Sequence, residues 1–219
     1  MHPSLPLPGL DNLLAVLRSH GQAIDLRPVT TEPLLAGDLV LGEPFDPMLA
    51  ELYSRFDGGR LGELYISSFN LHRDSLVPLN ERARERAETR IKKLLCYAQI
   101  GGLAESFATV PSLAAPGGLQ PVVYFQSYMD KTILPFGSNV DRAFALYARY
   151  CDERISACGS LLDEPPMGHS AILFPDSYVE QVAQDEPLVR MLREGRFDEL
   201  ALPDEGSQEW VQNVLSAAR

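Results

Sequence analysis

From Val140 to Leu162, apolar residues recur in steps of 4, 3, 4, 4, 3 and 4: Val140, Phe144, Tyr147, Cys151, Ile155, Cys158 and Leu162. That rhythm places them on one side of a helix, as a continuous stripe that must be buried. Ser138-Asn139-Val140-Asp141 opens the helix with capping-box-like spacing, and EPPMG, residues 164–168, breaks the pattern. The residues before it read as strands. KLLCYAQI and LAESFATV flank Gly101-Gly102 as a hairpin, and PVVYFQ and KTILPF form two further strands around SYMD. With a strand over Leu61–Phe69, they make the segment from Leu61 to Phe136 a meander of antiparallel strands.

Upstream, Leu10, Leu13, Leu14 and Leu17 recur at helical spacing before Gly21, which predicts a short amphipathic helix over residues 10–20. The proline-rich passage RPVTTEPLLAGDLVLGEPFD reads as loop with a short extended piece. Asp46-Pro47 then starts a helix, Asp as N-cap and Pro at the first helical position. Its apolar face is Met48, Leu49, Leu52, Tyr53 and Phe56, and it ends at Asp57-Gly58-Gly59. Residues 80–93, NERARERAETRIKK, read as a solvent-facing helical segment capped by Asn80. Three Glu interrupt its six Arg and Lys, which argues against a nucleic-acid arm. Beyond about Ser170, helical stretches surround SYVEQVA, PLVRMLREG and SQEWVQNVLSAA.

The glycines at 58, 59 and 62 raise the question of a phosphate cradle. Phosphate loops run strand, glycines, helix, so that the positive end of the helix dipole and its free N–H groups face the anion. Here the order is reversed, and glycines that follow a helix meet free carbonyls and partial negative charge. A glycine just past a helix adopts the left-handed conformation readily, so Asp57-Gly58-Gly59 is expected to be a turn.

Other catalytic signatures fail on their own terms. His72-Arg73-Asp74 resembles a kinase catalytic loop, but position 79 is Leu where Asn is required, and there is neither a glycine-rich phosphate loop nor an Asp-Phe-Gly. Gly168-His169-Ser170 lacks the second glycine of a nucleophile elbow, since position 172 is Ile. Cys151 and Cys158 fall on the apolar stripe and Cys96 within a strand pattern, where each serves as a small hydrophobe. Three cysteines at scattered spacing make no disulfide framework. His2, His20, His72 and His169 show no metal-ligand spacing. No catalytic residue, cofactor or metal is therefore expected, and the chain reads as a binder.

At 219 residues with 45% hydrophobic content, the chain can bury a sizeable core. No apolar run approaches the roughly 18 residues of a membrane span. The start, MHPSLPLPGLDNLL, carries no basic region or cleavage pattern, so a cytoplasmic location is expected. Net charge is −11, unevenly spread. Residues 1–150 hold 16 acidic and 14 basic side chains, and residues 151–219 hold 14 and 5. An acidic surface repels nucleic acid and attracts basic proteins.

Three stretches carry a family resemblance: FDPMLAELYSRFDGGRLGELYI for an opening helix, glycine turn and strand, LLCYAQIGGLAESFATV for a central hairpin, and QPVVYFQSYMDKTILPFGSNVDRAFALYARY for final strands and a closing helix. Over about residues 35–155 the chain resembles the SUKH superfamily, which takes in bacterial toxin-immunity proteins and the fungal cell-wall-synthesis regulator. It departs from that pattern in lacking a Trp near the opening helix, Trp210 being its only one, and in its C-terminal extension. The resemblance implies an α+β fold, a twisted antiparallel sheet packed against helices, without enzymatic activity. It implies an intracellular immunity protein that binds a cognate protein toxin, such as a basic nuclease. The competing expectations are a regulatory scaffold for endogenous proteins and an enzyme whose site assembles only in three dimensions, around groups such as His72, Asp74 and His169.

The expected organisation is an N-terminal helix and loop (1–34), a SUKH-like core (35–162) and an acidic helical extension packed on it (163–219). Exposed polar positions are expected to contact the partner. Asp57, Glu63, Gln126, Tyr128 and Asp130 flank predicted turns or strand edges, and Asp163, Glu164, Asp204 and Glu205 belong to the acidic third.

Overall fold

The computed structural model describes residues 5–30, 32, 34–69, 75–86, 89–101, 105–126, 132–161 and 172–218. The striped segment forms helix α4 (Val140–Cys158), closed by Gly159 in the left-handed conformation. Its N-cap is Asn139, whose side chain accepts from the Arg142 N–H at 2.9 Å, one position later than the expected Ser138. Ser138 makes a different contact, its N–H donating to Asp185 Oδ2 at 2.7 Å. Val140, Phe144, Tyr147, Cys151 and Ile155 are buried, as their spacing requires, whereas Cys158 on the last turn is only half-buried and Leu162 lies outside the described residues.

Helix α1 (Pro8–Ser19) lies along α4 and buries Leu10, Leu13 and Leu17. Its N-cap position is Leu7, which has no side-chain oxygen to offer the free N–H groups, so Asp141 of α4 does the capping. The N–H groups of Gly9 and Leu10 donate to Asp141 Oδ1 at 2.8 and 3.1 Å. This contact needs glycine, because a Cβ at position 9 would lie 2.1 Å from the Asp141 carbonyl oxygen.

The sheet is antiparallel throughout, with seven strands in the order β1-β4-β5-β6-β7-β8-β9. These are β1 (Ile24–Leu26), β4 (Gly59–Leu61), β5 (Leu64–Ile66), β6 (Leu95–Ile100), β7 (Glu105–Thr109), β8 (Val122–Gln126) and β9 (Ile133–Gly137), with β2 (Leu39–Val40) and β3 (Glu43–Pro44) forming a separate two-stranded ribbon. The sheet and eight helices among the described residues make the protein α+β. Phe107 stands at the centre of the core, its ring centroid 5.0 Å from Phe136, 5.5 Å from Tyr147 and 5.8 Å from Phe174. One continuous hydrophobic cluster runs from Leu7 to Val214, so the N-terminal and C-terminal segments share the core of the middle one.

Helix α2 (Pro47–Arg55) begins as its sequence predicts, Asp46 accepting from the Met48 and Leu49 N–H groups at 2.7 and 3.0 Å. Its end differs from expectation. Phe56, in extended conformation, closes it, and the glycines come afterwards (φ 68° at Gly58, 130° at Gly59). Gly58 carries the chain out of the helix with a left-handed backbone, while Gly59 is already the first residue of β4, where a Cβ would lie 2.2 Å from the Asp25 carbonyl oxygen on β1. The single strand expected over Leu61–Phe69 is instead a hairpin, β4 and β5 joined by Gly62-Glu63 with Leu61 opposite Leu64.

The charged segment also differs. Helix α3 (Leu76–Arg86) starts before Asn80, which is buried inside it rather than capping it. The Asn80 amide donates to the carbonyls of Leu76 and Cys96 and accepts from the Cys96 N–H, each at 2.8 Å, tying α3 to β6.

Helices α5 (Val179–Val182), α6 (Glu186–Arg193), α7 (Asp198–Ala201) and α8 (Glu205–Ala217) form the C-terminal layer, in which α6, α7 and α8 pack against edge strand β9. Covering that edge removes a row of unpaired backbone groups from solvent. The Trp210 indole donates to the Pro135 carbonyl at 2.8 Å, and Ser207 Oγ accepts from the Ile133 N–H at 2.9 Å. No helix among the described residues is long and apolar enough to cross a membrane.

Candidate functional site

Where the C-terminal layer meets the Gln126–Thr132 end of β8 and β9, it leaves an open cleft of about 410 Å³. Leu134, Val179 and Trp210 give it an apolar floor, while Gln126, Thr132, Asp176, Glu209 and Asn213 supply polar groups. The register of α8 sets one wall. Ser207, Trp210 and Val214 are buried, which turns Gly206, Glu209 and Asn213 toward the opening. Partial burial, and then the neighbouring Glu209 carboxylate, raise the Asp176 carboxyl above its ordinary range.

Behind this wall Tyr124 is fully buried, paired in register with Leu134. Among the described residues its hydroxyl meets no hydrogen-bond partner. Burial raises the phenol's pKa, and the Glu105 carboxylate, near but outside hydrogen-bond geometry, raises it further.

The C-terminal layer that borders the cleft is rich in exposed acids. In residues 172–218, Asp176, Glu180, Glu186, Glu194, Asp198, Glu199, Glu205 and Glu209 are exposed, eight carboxylates against the two exposed guanidiniums of Arg190 and Arg193. Glu199 is paired with Lys93, which holds its carboxyl below the usual range. A second, larger open cleft of about 820 Å³ lies between α5, α6 and the end of α8, with Glu180, Glu186, Arg190 and Arg193 among its lining residues.

The structure sorts the expected contact residues. Asp57 is buried and faces inward, accepting from Ser68 Oγ at 2.9 Å and the Phe69 N–H at 2.6 Å. Its expected exposure is corrected: it braces the glycine turn. Asp204 is likewise spent internally, as N-cap of α8 and in an ion pair with buried Arg90 at 2.6 Å. Glu63 is half-buried at its hairpin turn and paired with Arg60 at 2.5 Å, whose guanidinium lies over the Tyr65 ring. Gln126 lines the cleft and donates to Glu105 at 3.2 Å. Glu205 is exposed on the first turn of α8. Tyr128, Asp130, Asp163 and Glu164 lie outside the described residues, as do His72, Asp74 and His169.

Asp176, Glu209 and Asn213 were not singled out from sequence. The 3-then-4 spacing of Gly206, Glu209 and Asn213, offset by one from Ser207, Trp210 and Val214, is the signal that could have found two of them. Cys96 and Cys151 are buried, and burial pushes each thiol up to about 12, which keeps them protonated and poorly nucleophilic. Among the described residues no cluster of His, Cys, Asp and Glu is arranged to hold a metal ion. Comparison with family models, with curated proteins and with solved structures finds no match for this chain.

Proposed function

We propose that this chain is a non-enzymatic protein-binding module, a SUKH-like immunity protein that acts in the cytoplasm by occupying a cognate bacterial toxin with a basic surface, such as a nuclease. The acidic face of the C-terminal layer is the observation that carries this reading. A surplus of exposed carboxylates on one layer attracts a basic partner from a distance and orients its approach, because the separate charges add into one field. A nuclease holds its substrate's phosphates with basic residues, so a partner that covers them blocks both access and attraction. Neutralisation on this reading is stoichiometric and needs no turnover.

The test is coexpression with a toxin encoded beside this chain. A one-to-one complex by light scattering, and restored growth of cells expressing the toxin, are the expected results. Growth that stays arrested at equimolar expression, with the two proteins eluting separately, overturns the proposal.

A further inference from the structure

We propose that the chain forms a two-fold homodimer by pairing its β1 edges antiparallel about Leu26, so that the two seven-stranded sheets join into one. The two ends of the sheet differ. Edge strand β9 is covered by α6, α7 and α8, whereas β1 pairs with β4 on one side alone. Ala23, Asp25 and Arg27 turn their backbone groups toward β4. Asp25 lies opposite Arg60, the Gly62 N–H donates to the Ala23 carbonyl, and the Arg27 N–H donates to the Gly58 carbonyl. Alternate residues of an antiparallel ladder face opposite sides, so the N–H and C=O groups of Ile24 and Leu26 point away from the sheet. Among the described residues these groups meet no partner. Such a row of unpaired groups is a template for another strand.

Charge complementarity names the occupant and the register. Asp25 and Arg27 are exposed and sit two positions apart on one extended strand, so they share a face of the sheet. Among the described residues neither side chain makes an ion pair or a hydrogen bond. Pairing about Leu26 sets Asp25 opposite Arg27 of the second copy, and the two-fold axis repeats the pair in reverse. These are non-hydrogen-bonded positions, where opposed side chains lie closest. Leu26 exchanges its hydrogen bonds with Leu26 of the second copy, and each Ile24 N–H reaches the Pro28 carbonyl across the axis. Other registers lose this match. Pairing about Asp25 sets carboxylate against carboxylate, which destabilises. Pairing about Ile24 sets Asp25 opposite Ala23 and calls on the Gln22 N–H, which already donates to the Leu17 carbonyl at 2.9 Å. Pro28 has no N–H, so the ladder stops there. With β9 covered, the sheet offers no second edge, and assembly closes at two copies.

The experiment is sedimentation velocity on the full chain by itself, in dilute buffer. An interface made by one short strand edge is small, so a dimer dissociation constant on the order of 10–100 µM is expected, and the concentrations should span that range. Asp25→Arg and Arg27→Asp should each weaken the dimer about tenfold, because each turns both attractive cross-strand pairs into repulsive ones. The double variant Asp25→Arg/Arg27→Asp restores opposite charges in exchanged positions and should dimerise as wild type does. Both side chains are exposed, so all three variants should keep the wild-type melting temperature. A chain that stays monomeric at every concentration overturns the proposal. Single variants that dimerise like wild type overturn it too, as does a double variant that fails to recover, because the charges then do not face each other across the axis. The measurement requires no toxin, so this result and the toxin complex succeed or fail independently.

Discussion

Asp46 carries a charge that the fold both needs and resists. It is fully buried, and three N–H groups converge on its carboxylate: Met48 and Leu49 on Oδ1 at 2.7 and 3.0 Å, and Gln120 on Oδ2 at 2.7 Å. Those donors favour the anion, yet burial outweighs them and raises the pKa from 3.8 to about 6. A carboxyl raised on folding stabilises the fold fully below about 3.8, and that contribution is lost as pH climbs through about 6. The interval corresponds to roughly 3 kcal/mol. Asp46→Asn removes the titration, so urea melts should show wild type losing most of that amount relative to the variant between pH 4 and pH 7. A constant difference across those pH values would mean that Asp46 titrates as in a free peptide. Sequence identified the N-cap role, because Asp before Pro is a local signal. It could not reveal that a loop 74 positions away donates to the same carboxylate.

Elements were legible where one periodic face is buried along its whole length, and obscure where a tertiary contact overrides local preference. Helix α4 shows the first case: its stripe forces both the element and its buried side. Asn80 shows the second. Its type favours a cap or turn, and reading it as a cap displaced the start of the helix; its role is set by β6, sixteen positions on. Replacing Asn80 with Leu strands the Cys96 N–H and carbonyl while removing the tie between α3 and β6. Two or more buried groups left without partners should cost about 2–4 kcal/mol, measured as a shift in urea midpoint with unchanged slope. A loss under about 0.5 kcal/mol would show that water replaces the amide. The hairpin of β4 and β5 was hidden for another reason. Leu61, Leu64 and Ile66 are all buried, so the apolar pattern runs through the turn, and only Gly62-Glu63 marks it.

At the scale of the whole molecule, the arrangement separates what stabilises the chain from what it can offer a partner. The acidic residues that hold the C-terminal layer in place face inward: Asp204 on Arg90, and Asp185 capping α6 and engaging Ser138. The eight exposed ones lie on the outer surface of that layer. Residue type alone does not distinguish the two sets, since both are acidic residues scattered through the same short helices. The cleft was invisible for the same reason, its walls coming from Gln126, Thr132 and Leu134, from Pro175, Asp176 and Val179, and from Gly206, Glu209, Trp210 and Asn213. The division predicts different consequences for each set. Glu180→Gln, Glu186→Gln, Glu194→Gln and Glu205→Gln together should leave the melting temperature within a few degrees of wild type, because exposed charges contribute little to stability. The same change should slow association with a basic toxin by about tenfold in dilute buffer, with little effect on dissociation, since rim charges act mainly on encounter. Near 0.5 M salt the Debye length falls to roughly 4 Å, and the two association rates should converge. Stopped-flow mixing at both ionic strengths separates the outcomes, and equal rates in dilute buffer would remove this face from the encounter. Asp204→Asn should behave in the opposite way, lowering the melting temperature through the loss of its pair with Arg90 while leaving the salt dependence of association intact.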